Sequence, residues 1–197
     1  MITSGARVEH ARLRRNYLRS STLVLSELDA EWARRLAAAE AAARARGRED
    51  VAEYLALRAT NDLARGVGCD WLLATASALA GAANRAGASI VVTQTDAHRF
   101  RVGHSTMVGR RFALRAGVRE LTVEAGWPRA PQDGIVRGGG LACARLTHFG
   151  DRGRNAELLL IATTGGAPRW VALDTDTGAR TPFDEESLRQ HVARLVN

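Results

Sequence analysis

The sequence contains no lysine, so all 28 of its cationic side chains are arginine, against 21 aspartates and glutamates. A GC-rich genome favours arginine and alanine codons and would account for the missing lysine. It would not account for the net charge of +7 and the pI of about 10.9, which favour an anionic partner or surface. The planar fork of arginine also binds phosphate and carboxylate in bidentate fashion. Whether the arginine excess serves function or follows codon composition stays open.

Aromatic residues and cysteines are scarce. Aromatics make up 5% of the chain, so alanine, leucine and valine must fill the core. Two cysteines, Cys69 and Cys143, lie far apart without a CxxC pair, which excludes a disulfide scaffold and indicates buried, reduced thiols in a cytoplasmic protein. The hydrophobic fraction of 46% and the charged fraction of 25% are ordinary globular values and exclude a disordered chain.

Long hydrophobic runs are also lacking. The most apolar window, Trp71–Ala83, is too short to span a bilayer and predicts a buried helix. The first twenty residues show no apolar segment typical of a secretory signal. We therefore expect a cytoplasmic location and no membrane partner.

The pattern of the chain changes from helical to strand-like near Gly87. Before it, apolar spacing and glycine stops predict about four helices, at Arg7–Leu25, Ser26–Gly47, Glu49–Arg65 and Asp70–Arg85. After it, alternation with period two predicts strands at 89–95, 98–103, 106–117, 118–126, 141–149, 157–164 and 169–174, followed by a helix at about 184–195.

These elements predict an α+β fold. A helical N-terminal half, residues 1–87, packs on an antiparallel sheet of six to seven strands, and a C-terminal helix closes the chain. The sheet and closing helix occupy residues 88–197, and the two regions are expected to form one co-folded domain.

Two groups of arginines are candidate anion contacts. Alternation alone would place four of them on one outward face of the sheet, opposite Phe100 and Phe112, where they would form either an anion-binding platform or ordinary cross-strand Arg–Glu pairs: Arg99, Arg101, Arg111 and Arg115. The first predicted helix carries Arg14 and Arg15, which could lie along nucleic-acid phosphates or be solvated charges of a helix end.

A long loop, residues 126–140, separates two apolar stretches and reads GWPRAPQDGIVRGGG. It resembles no nucleotide-binding loop, because the lysine and the following helix are missing. Two roles remain. The backbone N–H groups of Gly138, Gly139 and Gly140 could form a small anion nest beside Arg129 and Arg137. Alternatively, the glycines let the chain pass close to another element, with Trp127 as an apolar anchor and Asp133 within a turn.

No motif in the sequence points to a catalytic residue, a cofactor or a metal ion. His104 and Ser105 lack the GxSxG context of a nucleophile elbow, and Cys143 and His148 alternate to opposite faces of one strand. The leading hypothesis is a non-enzymatic binding or regulatory protein whose arginines contact an anionic partner, with nucleic acid as first candidate. A protein-interaction or homo-oligomeric module built on the alanine-rich helices is the alternative. An enzyme with its site at the loop, drawing on Asp133, Glu124, His104 and His148, is the second alternative.

Overall fold

The computed structural model describes residues 30–164 and 166–196, apart from the side chain of Pro131, and within them it contains three α-helices. Helix α1 covers residues 30–45, α2 covers Glu49–Arg85 and α3 covers Glu185–Ala193. The helix predicted at Arg7–Leu25 lies outside the described residues, as does the predicted N-cap at Ser26. Helix α3 begins at its N-cap Asp184, whose carboxylate accepts a hydrogen bond from the Ser187 N–H.

The prediction of about four helices was wrong at Gly66 and Gly68, because the two helices predicted on either side of them form the single helix α2. A glycine ends a helix when it takes the left-handed conformation. Gly47 and Gly87 do so, with φ of 69° and 101°, whereas Gly66 and Gly68 do not. Gly68 instead lets α2 approach β5, since a Cβ there would lie 2.5 Å from Leu160 Cδ2.

Contacts along the chain divide it into two compact units, Met1–Thr60 and Asn61–Asn197. In the described part of the first unit, Leu36, Ala43 and Ala52 are buried, and the guanidinium group of Arg58 lies 5.0 Å from the centre of the Trp32 ring. The second unit holds the rest of α2, the whole sheet and α3. The expectation of one co-folded domain stays a prediction.

All seven strands pair in sequence order as one antiparallel sheet, which confirms the predicted meander. Their bounds are β1 Val91–Val102, β2 Ser105–Ala116, β3 Arg119–Trp127, β4 Ala142–His148, β5 Ala156–Thr163, β6 Gly166–Leu173 and β7 Arg180–Phe183. The two strands predicted at 89–95 and 98–103 are one strand, β1, interrupted by a bulge at Asp96 and Ala97. Strand β7 was not predicted, because it has only four residues and contains Pro182.

The main core lies between one face of the sheet, which we call the helix face, and helices α2 and α3. Leu114, Leu121 and Leu160 on the sheet and Leu72 on α2 are completely buried there. The Trp170 indole N–H donates a 2.9 Å hydrogen bond to the Gly68 carbonyl of α2. Leu188, Val192 and Leu195 anchor the C-terminal helix and the turn after it on the same core.

Helix α2 is also long and apolar enough to cross a membrane by length and composition. A core helix of a soluble domain meets the same criterion. Cys69, Leu72, Leu73, Ala76 and Ala80 of α2 are buried in the cluster that includes the sheet, so this part of the helix acts as a core helix.

Candidate anion-binding surfaces

Strand register separates the four sheet arginines that alternation alone grouped together. Phe100 on β1 pairs with Met107 on β2, and Met107 lies five residues before Phe112, so Phe100 and Phe112 point to opposite faces. Arg99 and Arg101 therefore share the helix face, whereas Arg111 and Arg115 lie on the other face, which we call the polar face. The expectation of one common face was wrong, because Asp96 and Ala97 of the β1 bulge lie opposite Arg110 alone, and this single extra residue reverses the alternation.

The polar face is organised around the buried carboxylate of Glu124, which is 6% exposed. The His98 imidazole Nε2–H donates to Glu124 Oε1 at 2.6 Å, and Arg145 Nε and Nη2 donate to Oε2 at 2.9 and 2.7 Å. The Arg145 guanidinium carbon also lies 5.9 Å from the centre of the Phe100 ring. Both oxygens of this enclosed carboxylate thus have charged or polar donors, which offset the free-energy cost of removing it from water.

Two glycines make room for this arrangement. Gly109 on β2 pairs with His98 on one side and with Gly126 on the other. Because neither glycine carries a side chain, the imidazole of His98 reaches across β2 to Glu124 on β3. A Cβ on Gly109 would lie 1.9 Å from the Ala125 carbonyl oxygen, and one on Gly126 would lie 2.7 Å from the Val108 carbonyl oxygen.

Neighbouring charges on the polar face are also paired. Arg111 Nη2 donates to Glu120 Oε1 at 3.2 Å and to Thr122 Oγ1 at 3.3 Å. Along the register, Arg111, Glu124, Arg145 and Glu157 lie opposite one another on successive strands with alternating sign. The charges over the middle of this face are therefore balanced, and Arg115 at its end donates from Nε to the Gly117 carbonyl. Beside them, Phe100, Met107, Cys143, Leu159 and Val171 form a second, buried apolar cluster on the same face.

Asp133 fixes the start of the long loop, within the short 3-10 turn Pro131–Asp133. Its Oδ1 accepts from Arg99 Nη2 at 2.7 Å, and its Oδ2 accepts from the Ala130 and Arg129 N–H groups at 3.1 and 3.3 Å. Desolvation opposes ionisation, but these hydrogen bonds and the charge of Arg99 outweigh it and lower the pKa of Asp133. Arg99, a predicted anion contact, is thus occupied by a carboxylate of the same chain.

The rest of the loop passes close to the sheet. The Ser105 hydroxyl donates to the Ile135 carbonyl at 2.8 Å and accepts from the Ile135 N–H at 3.3 Å. Added Cβ atoms on Gly138 and Gly140 would lie 2.5 Å from Arg180 Nη2 and 2.2 Å from Leu159 Cδ1. These contacts account for both glycines by close passage, while an anion nest at Gly138, Gly139 and Gly140 stays a prediction.

Trp127 is the last residue of β3 and is buried in the main core. The Arg129 guanidinium carbon lies 3.7 Å from the centre of its ring, so the planar cation stacks on the indole. Trp127 therefore anchors the start of the loop, and Arg129 covers that anchor.

Three arginines at the other side of the loop form what we call the loop rim. Arg137 lies beside Gly103 of the β1–β2 hairpin, with its guanidinium carbon 3.2 Å from the position of an added Cβ. Arg180 Nη2 donates to the Gly138 carbonyl at 2.9 Å, and exposed Arg101 precedes the hairpin by two residues. Within the described residues, none of the three forms an ion pair with a carboxylate. Arg14 and Arg15 lie outside the described residues.

The four side chains considered for an enzyme site, those of Glu124, Asp133, His148 and His104, lie in separate parts of the structure. Glu124 contacts His98, and Asp133 contacts Arg99. His148 Nε2 forms a 2.9 Å hydrogen bond with His191 Nδ1 of α3, and His104 is exposed in the hairpin turn. Residues 30–164 and 166–196 hold no group of three or more histidine, cysteine or carboxylate side chains that could bind a metal.

Both cysteines are buried and chemically quiet, as their sequence context indicated. Burial raises the pKa of the Cys69 thiol and of the Cys143 thiol to about 12. Neither therefore forms a reactive thiolate near neutral pH.

Sequence reasoning missed four residues of these clusters: His98 as a carboxylate partner, Arg145, Arg180 and His191. The Arg145–Glu124 pair depends on the order of β3 and β4, and His148–His191 depends on where α3 docks. The alternating charges of β3 and β4 were the one available signal, because facing strands of opposite charge form cross-strand pairs.

Comparison of the chain with protein-family models, with curated protein sequences and with solved structures found no match.

Replacing Glu124 by glutamine tests its central place on the polar face. The substitution keeps the shape but removes the charge that Arg145 and His98 share, so we expect a loss of about 2–4 kcal/mol in unfolding free energy. Urea unfolding followed by circular dichroism measures it. Glu157→Gln is the matched control, because Glu157 also lies opposite Arg145 but forms no ion pair within the described residues. Equal losses in both variants would contradict the central role of Glu124.

Stability should also fall with acid because of the hydrogen-bonded pair His148–His191. Burial, His148 and Arg194 lower the pKa of His191 to about 4, and burial and Arg194 lower that of His148. Unfolded histidine titrates near about 6.5, so the unfolded chain takes up protons first as pH falls. Stability is therefore complete above about pH 6.5 and decreases between about pH 6.5 and 4. Urea midpoints at pH 7.5, 6 and 5 should show this decrease, and His191→Gln should reduce it; an unchanged pH dependence in the variant would refute the assignment.

Proposed function

We propose that this protein binds an anionic partner, with nucleic acid as the leading candidate, and that arginine guanidinium groups contact its phosphates at the loop rim. The observation that carries the proposal is the contrast between paired and unpaired arginines. Arg99, Arg111 and Arg145 are each bound to a carboxylate of the same chain. The loop-rim residues Arg101, Arg137 and Arg180 have no such partner within the described residues.

The geometry of the loop rim supports this role. Arg137 precedes Gly138 in the loop and Arg180 of β7 donates to the Gly138 carbonyl, so the fold brings arginines that are far apart in sequence to one part of the loop. Arg101 lies on β1, two residues before Gly103, which the Arg137 guanidinium approaches. Residues 128–140 contain one carboxylate, Asp133, and Arg99 already neutralises it. His104 in the adjacent hairpin adds a polar side chain that can donate to phosphate when protonated. The contacts would recognise a phosphate backbone rather than a base sequence.

Fluorescence anisotropy with labelled single-stranded and duplex oligonucleotides tests the proposal. Affinity should fall steeply between about 50 and 200 mM salt, because each phosphate contact releases counterions. The triple variant Arg101→Gln, Arg137→Gln and Arg180→Gln should weaken binding and reduce the salt slope by about 2 to 3.

The matched control is Arg85→Gln, which removes one exposed arginine from the last turn of α2. It should leave binding nearly unchanged. Binding that is insensitive to salt, or that survives the triple variant at full strength, would refute the proposal. Circular dichroism of each variant shows whether the fold is intact.

A second candidate function, a homo-oligomeric module, is favoured by a row of apolar side chains on α2. Leu63, Val67 and Trp71 follow one another at intervals of four residues and are 70%, 49% and 39% exposed, so they lie along one side of the helix. Such a row offers a face for a second copy of the chain.

Light scattering coupled to gel filtration tests this second candidate. A dimer that becomes monomeric in Val67→Glu supports it, since a charge in the middle of an apolar contact leaves a buried carboxylate without a partner. Tyr54→Glu is the control, because Tyr54 is also exposed but does not belong to the row. A wild-type protein that is monomeric at all concentrations would exclude the homo-oligomer.

A further inference from the structure

Two large apolar side chains are almost fully exposed to solvent in neighbouring turns, at the end of the sheet away from the β1–β2 hairpin. Val118, in the turn between β2 and β3, is 85% exposed, and Phe149, in the turn after β4, is 77% exposed. The Phe149 N–H donates to the Glu120 carbonyl of β3 at 2.9 Å, so the β3–β4 ladder extends into the turn and sets Phe149 opposite a residue that lies two positions after Val118. Exposed apolar side chains that share one end of a sheet and have polar residues around them are typical of an interaction surface.

Arginines surround the two apolar tips. Arg115 Nε donates to the Gly117 carbonyl in the first turn, and Arg119 Nη1 donates to the Arg194 carbonyl after α3. The second turn carries Arg152 and Arg154. We call this group the turn edge: Arg115, Val118, Arg119, Phe149, Arg152, Arg154 and Arg194.

Nearby carboxylates do not cancel this charge. Residues 115–120 and 148–155 with Arg194 contain five arginines and two carboxylates, Glu120 and Asp151, which leaves a net charge of +3. Glu120 is bound to Arg111 on the polar face, and Asp151 lies 3.6 Å from Arg154. The β6–β7 turn at the same end of the sheet adds Asp174, Asp176 and Arg180, and the net charge of this end is then still +2.

We propose that the turn edge docks on an anionic phospholipid surface, with Val118 and Phe149 inserted at the level of the head groups and the arginines on lipid phosphates. Two neighbouring turns at one end of a sheet reach a planar surface together. Aromatic and aliphatic side chains gain from leaving water there, and arginines near an anionic leaflet add attraction. Peripheral docking of this kind needs no membrane-spanning segment.

A bilayer suits the turn edge better than nucleic acid does. Phosphates of a nucleic acid would use the arginines, but Val118 has neither a hydrogen-bonding group nor a ring to stack on a base. At a bilayer, Val118 and Phe149 can enter the apolar layer while the surrounding arginines contact the anionic head groups. Arg101 and Arg137 of the loop rim lie near the β1–β2 hairpin, at the opposite end of the strands from the turn edge, so variants at these two positions test the two proposals separately.

Co-sedimentation of the full chain with vesicles tests the proposal. The protein should bind vesicles of phosphatidylcholine with about 30% phosphatidylglycerol and should not bind pure phosphatidylcholine. The double variant Val118→Ser and Phe149→Ser should weaken binding about tenfold or more, because it removes the apolar area that enters the lipid.

Ile135→Ser is the matched control for the apolar pair, since Ile135 is 76% exposed but lies in the long loop. It should bind vesicles like the wild type. For the charge, Arg119→Gln with Arg152→Gln should weaken binding to anionic vesicles, whereas Arg137→Gln at the loop rim should not. Thermal unfolding of every variant should match the wild type, because all these side chains are exposed.

Three results would overturn the proposal. One is equal binding to neutral and anionic vesicles, and another is full binding by the Val118→Ser and Phe149→Ser variant. The third is binding of a soluble duplex oligonucleotide at the turn edge that depends on Arg119 and Arg152 but not on Phe149. That result would mean that the turn edge binds the phosphates of a soluble nucleic acid and not a lipid surface.

Discussion

The polar face of the sheet depends on one buried carboxylate, that of Glu124. A charge removed from water must be matched by donors close to both of its oxygens, and only a few side chains can reach it. His98 and Arg145 do so from β1 and β4, on either side of β2 and β3. Their positions require the bare backbone of Gly109 and Gly126 and the bulge that turns His98 to this face.

The need to pair a charge that lies close to the protein interior also decides which arginines are neutralised. Where an arginine lies over the middle of the sheet or beside the start of the loop, a carboxylate neutralises it, as in Arg145–Glu124, Arg111–Glu120 and Arg99–Asp133. The arginines of the loop rim and of the turn edge lie outside these pairs, although Arg154 is 3.6 Å from Asp151. Both proposals for binding start from that distribution and assign different partners to the two groups.

Much of the fold was predictable from the chain. Period-two alternation and short turns indicated the antiparallel meander, and the apolar window at Trp71–Ala83 indicated the helix that covers it. Local rules failed where tertiary packing decides conformation. Gly66 and Gly68 were predicted to end a helix, yet α2 continues through both. Gly68 packs against Leu160, and its carbonyl accepts a hydrogen bond from the Trp170 indole N–H. The candidate site was predicted less well, because one extra residue at the bulge reverses every later side chain on β1.

The amino-acid sequence by itself determined the excess of arginine, the quiet cysteines, the order of helix and strand, and the presence of a long glycine-rich loop. These follow from composition and from contacts between residues close in the chain. Tertiary structure alone decided which arginines are neutralised and which are left for a partner. That choice depends on strand register and on side chains that meet across more than twenty residues, such as Glu124 with Arg145 and Arg99 with Asp133, and neither can be read from local pattern.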